Sequence, residues 1–166
     1  MRSMSDQAKQ SFLHSFREAL RFLEQGGGFT VEIEDYGLAV ALSYRKDDLC
    51  IRFTYEVRDR MVDVEIVRCS EQERLPLGKR MGLYTILERI DTPATLDLYL
   101  ERINQQLKVI HKQYRRLRRR LGHKDNLREW EVHREELSLQ AEKYALIFRL
   151  VGNAVVEAAR QALGLH

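Results

Sequence analysis

The hydrophobic positions change their spacing along the chain, and each change predicts an element. Phe12, Phe16, Leu20 and Leu23 follow one another at four, four and three residues, one face of a helix spanning about residues 6 to 24. The run Gly26-Gly27-Gly28 stops it. From Phe29 to Cys69 the spacing becomes two: Phe29, Val31 and Ile33, then Leu38 to Tyr44, then Leu49 to Val57, then Val62 to Ile66. Four strands joined by three four-residue loops fit this pattern. Ile33 is expected to face Leu38, Val40 to face Phe53 and Tyr55 to face Val64, a register that gathers the apolar side chains on one side of an antiparallel meander. The first helix is expected to cover that side. The same register sets Cys50 opposite Cys69 on the other face, where two reduced thiols are expected.

Residues 70 to 82 read as a connection, and Leu83, Ile86, Leu87 and Ile90 as a short helix. Asp91-Thr92-Pro93 is a start signal, a capping side chain followed by a proline whose missing N–H costs nothing at the first helical position. Leu96, Leu100, Ile103, Leu107, Ile110, Tyr114, Leu117 and Leu121 then keep an unbroken alternation of four and three. Gly122 ends that helix, and Asp125 or Asn126 caps the next, with Glu129 at the capping-box position for Asn126.

A second seam runs Leu127, Trp130, Arg134, Leu137, Ala141, Tyr144, Phe148, Val151, Val155, Ala158, Ala162 and Leu165, with Arg134 as its one charged member. Folded about Gly122, the seams match layer by layer: Leu117 with Trp130, Tyr114 with Arg134, Ile110 with Leu137, Leu100 with Phe148. The expected fold class is therefore α+β, with an N-terminal helix, a four-stranded antiparallel meander, a short helix and a long antiparallel coiled-coil helical hairpin. Residues 1–91 form the sheet domain and 92–166 the hairpin. Its tip, about 111–136, projects on an arm of about 43 Å, and 148–165 pack back on the body.

Charge sharpens this division. Residues 1–91 carry 14 basic and 16 acidic side chains, residues 92–166 carry 14 and 9. The densest stretch, QYRRLRRRLGHK (Gln113 to Lys124), holds five arginines and a lysine without an acid. Within the heptad, Arg118 flanks the seam opposite Glu131 as an exposed pair, and Tyr114 meets Arg134 in a cation–π layer. Arg115, Arg116 and Arg119 point away from the partner helix, and Arg120 and Lys124 lie at the turn. These five are the candidate residues for binding a partner or a nucleic acid.

Other chemistry is missing from the pattern. Neither standard phosphate-binding glycine loop is present, and the five histidines form no metal-ligand pair at helical spacing. No nucleophile sits in a recognisable signature, and the carboxylates from Glu32 to Asp63 fall on polar strand positions or in loops. A non-enzymatic protein without cofactor or metal is expected. The N-terminus lacks an apolar leader and the uninterrupted apolar runs, such as Tyr144 to Phe148, are far too short to span a bilayer, so a cytoplasmic protein is expected.

The segment FLEQGGGFTVEI together with VALSYRKDDLCIRFTYEVRDRMVDVEI resembles small uncharacterised bacterial proteins of the immunity-protein type. The resemblance rests on Phe22, Leu23, Glu24, Gly28, Phe29, Tyr44, Tyr55, Arg58 and Asp59, followed by GLYTIL, and covers about residues 12 to 90. It implies a non-enzymatic binder that masks a toxin surface. The first functional reading is thus a protein-binding module, immunity-like or a subunit of a bacterial assembly, using the hairpin or the sheet surface. The second is a nucleic-acid-binding protein using the arginine tip. The third is a homodimer in which hairpins pair into a four-helix bundle through Leu98, Tyr99 and Val109 on one helix and Ile147 and Leu150 on the other.

Overall fold

A computed structural model describes residues 3–71, 80–121 and 127–165. Helix α1 (Met4–Ala19) is followed by a short α2 (Arg21–Gln25), then β1 (Thr30–Asp35), β2 (Ala39–Lys46), β3 (Leu49–Glu56) and β4 (Met61–Arg68). A 3-10 turn at Cys69–Glu71, β5 (Arg80–Gly82), α3 (Leu83–Leu87), α4 (Ala94–Leu121) and α5 (Leu127–Leu163) complete the order. The first helix is thus broken at Leu20, whose φ of −98° and ψ of 9° interrupt the α conformation.

The fold is α+β, but the sheet has five antiparallel strands in the order β1-β2-β3-β4-β5 where four were expected. Arg80-Met81-Gly82 falls in the stretch read as a connection. Three residues are too few to show a spacing of two, yet their backbone satisfies the free edge of β4, with Met81 facing Ile66.

All three hairpin registers differ from expectation, each by an even number of residues. Ile33 faces Leu42, Val40 faces Tyr55, and Tyr55 faces Val62. The cause lies in the turns. The first two are two-residue turns, allowed by positive φ at Gly37 (82°) and Asp47 (54°), and the third occupies 57–60 and closes through Arg60 at φ 54°. Leu38, expected to be buried, becomes a turn residue with 74% of its surface exposed. Because every shift is even, the apolar face survives intact. Cys50 now faces Val67 rather than Cys69; both cysteines are free, and burial pushes the Cys50 thiol up to about 11.

Helices α1 and α5 cover the face formed by Val40, Leu42, Tyr44, Ile51, Phe53, Tyr55, Val64 and Ile66. One continuous core runs from Ala8 to Leu163 and takes in sheet, α1, α3 and both long helices. Each of the three turns that join β1 to β4 is tied to a helix by an ion pair. Asp35 meets Lys9 of α1 at 3.0 Å, Asp47 meets Arg160 near the end of α5 at 2.9 Å, and Arg60 meets Glu129 near its start at 3.1 Å. Helix α5 therefore reaches from one end of the sheet to the other, and α4 packs along it.

Candidate functional site

Two contacts set how α4 lies on α5: Lys143 Nζ donates to Asn104 Oδ1 at 3.0 Å, and His111 Nδ1 lies 3.2 Å from Glu136 Oε1. Both pairs belong to the register expected from Ile110 opposite Leu137, and the helices run antiparallel.

The distal layer is built differently from the expectation. Tyr114 does not stack on Arg134, which is exposed. Instead the guanidinium of Arg60, from the β3–β4 turn, sits 4.8 Å from the centre of the Tyr114 ring while pairing with Glu129. Burial pushes the Tyr114 hydroxyl above its ordinary range, with Arg60 opposing. The inward position of α5 is His133, 1% exposed, whose Nε2 shares a 2.6 Å hydrogen bond with the Tyr55 hydroxyl. Between Trp130 and Leu137 a helix can turn either residue 133 or 134 inward, and the sheet lies on the side of 133. Arg60 and Tyr55 thereby hold positions 114, 129 and 133 to the body, within the segment expected to project. Glu129 serves the Arg60 pair, and its expected capping partner Asn126 lies outside the described residues.

On both sides of this layer, α4 presents a row of cations. Lys108, Lys112, Arg115 and Arg119 follow at four, three and four residues, a stripe of about 16 Å, with Arg116 beside it. They line an open groove of about 850 Å³ between α4 and α5, floored by His111, Glu136 and Gln140. Arg115, Arg116 and Arg119 are exposed as expected, but they flank the α4–α5 groove instead of pointing away from α5. Arg120 is exposed outside the groove, and Lys124 lies outside the described residues.

Among the described residues, none of these five groove cations has an ion-pair partner, and Arg118 forms no pair with Glu131 within 4 Å. Glu136, 4% exposed, is the one carboxylate on the groove lining, and its Oε1 is engaged by His111 Nδ1 at 3.2 Å and by Gln140 Nε2 at 3.4 Å. The groove can therefore hold anionic groups.

The polar pairs Tyr55–His133 in the core and His111–Glu136 on the groove floor are not visible to a motif search. His133 Nδ1 lies 3.7 Å from Glu136 Oε2. The hairpin register does place His111 opposite Glu136, and that was the available signal. On α4, Leu98, Tyr99 and Val109 are 67%, 51% and 57% exposed, with Tyr99 lining a groove beside Ala19 of α1 and Ala145 of α5, while Ile147, expected beside Leu150 on a second stripe, is fully buried.

Among the described residues no helix is long and apolar enough to cross a membrane. Comparison of the chain with protein families, characterised proteins and solved structures finds no match.

Proposed function

We propose that the chain is a non-enzymatic protein-binding module whose α4–α5 pair acts as a coiled-coil arm and seats an acidic segment of a partner protein in the basic groove. The observation that carries this reading is the row Lys108, Lys112, Arg115 and Arg119, cations without a carboxylate partner among the described residues, beside an open groove. Charges spaced this way attract an acidic helix or strand and speed its encounter. An immunity-type protein or a subunit of a bacterial assembly fits this mode, because both act by occupying a partner's surface.

The same row favours a second reading, contact with nucleic-acid phosphates. Against it, no aromatic side chain lines the groove to stack a base, and Tyr114 is occupied by Arg60. One experiment separates the two. The purified chain is mixed with nuclease-treated and untreated lysate, and recovery of one stoichiometric protein in both supports the first reading. Recovery of nucleic acid alone overturns it. In the second case, replacing Arg115, Arg116 and Arg119 by alanine should lower the log–log salt slope of binding by about 3.

A further inference from the structure

A separate cavity of about 350 Å³ lies between the glycine turn 26–28 and the C-terminal half of α5, away from the hairpin groove. That volume is within the range of small organic ligand sites. Its body is apolar, formed by Phe22, Leu23 and Phe29 on one side and Phe148 and Val156 on the other. Two cations stand on its lining. Lys46 Nζ lies 5.6 Å from the centre of the Phe29 ring, and the Arg149 guanidinium 5.0 Å from that of Phe22. Lys46 uses one N–H on Gly27 O at 2.9 Å, and Arg149 has no carboxylate partner among the described residues. Asn153 adds an amide, and no aspartate or glutamate lines the space.

Of the three glycines on the lining, Gly27 and Gly152 differ in kind. A Cβ at Gly27 would sit 2.8 Å from the Leu23 carbonyl oxygen, so the turn itself requires glycine there. A Cβ at Gly152 would come no closer than 3.7 Å to Phe148, an ordinary contact. Packing therefore gives no reason for glycine inside α5, where it is among the poorest helix formers. What its missing side chain does is leave the wall of the cavity open.

We infer that this cavity binds a small amphiphilic carboxylate, its acyl or aryl body against Phe22, Phe29, Phe148 and Val156 and its carboxylate between Lys46 and Arg149. The apolar wall supplies affinity by burial, and the paired cations select the anion.

The test is titration of the full chain with octanoate, octanol and octylamine, followed by methyl NMR shifts of Leu23 and Val156 and by the melting temperature. Octanoate should bind saturably, shift those methyls and raise the melting temperature, at least tenfold tighter than octanol, with octylamine weaker than either. Lys46→Gln with Arg149→Gln should bring octanoate down to the octanol affinity. Gly152→Leu should abolish binding; should that chain not melt cooperatively, Gly152→Ala must fold and bind octanoate more weakly. The triple alanine variant at Arg115, Arg116 and Arg119 should bind octanoate like the natural chain. Equal binding of octanoate and octanol to the natural chain, no binding of octanoate, unchanged binding by the Gly152 variants, or loss in the triple variant would each overturn the inference.

Discussion

The middle and the far end of the molecule are closed in opposite ways. In the middle, Phe53 touches four rings, Phe16, Tyr44, Tyr144 and Phe148, with centres 5.8 to 6.0 Å away. At the far end, Tyr114 is met by one arginine from a sheet turn, and Arg115, Arg116 and Arg119 have no carboxylate partner among the described residues. The middle is held by contacts that need no charge and tolerate no gap. The far end keeps only enough packing to orient its charges, and Arg115, Arg116 and Arg119 stay exposed.

The largest expected effect strikes the middle. Phe53→Ala empties the centre of the aromatic cluster and should cost about 3 to 5 kcal/mol in urea unfolding. A cost below about 1 kcal/mol would mean that the cluster is not the core. Next comes the polar link between the regions. Tyr55→Phe removes the hydroxyl and leaves the buried His133 Nε2 unpaired, with an expected loss of about 1 to 3 kcal/mol. A double-mutant cycle with His133→Leu should recover part of it.

Cys50 gives a pH-dependent comparison. Its folded value, about 11, lies above the ordinary 9.0, so the folded chain keeps a proton that the unfolded chain releases. Its stabilisation is fully present below pH 9 and is lost as pH rises toward 11, with a slope of at most about 1.4 kcal/mol per pH unit. Burial also raises the Tyr44, Tyr55 and Tyr144 hydroxyls, which titrate later. Cys50→Ala should therefore flatten the unfolding free energy between about pH 9 and 10, measured by urea titration at several pH values.

Gly152→Ala tests whether α5 sacrifices stability near its cavity, and should stabilise the chain by about 0.5 to 1 kcal/mol in the same assay. The smallest effect belongs to the far end. Alanine at Arg115, Arg116 and Arg119 should change stability by less than about 0.5 kcal/mol while removing partner binding. A large loss of stability there would erase the contrast between the two regions.

The contrast also explains what was legible. The α4–α5 register could be read because both apolar seams are long and continuous, so a wrong pairing would misplace many layers at once. The hairpin registers of the sheet could not. An apolar face constrains only whether a residue is odd or even along its strand, and the shift by two or four was left to the turns. Gly37 and Asp47 close two-residue turns through positive φ, which a count of apolar positions does not register. The basic residues of the candidate site were read as exposed because they stand off the seam, and Arg115, Arg116 and Arg119 are exposed. Their groove was not read, since it depends on the side of α5 that the sheet leaves uncovered.

Periodicity alone thus determined the type of the longer elements, the inward face of β1 to β4 and the pairing of α4 with α5, because these follow from which side chains must leave water. The tertiary structure decided that His133 and not Arg134 turns inward, that Arg60 and not Arg134 stacks on Tyr114, and that His111 meets Glu136 on the groove floor. Positions 133 and 134 suit the helical spacing equally well, and only the sheet lying against one side of α5 makes burial of one of them favourable.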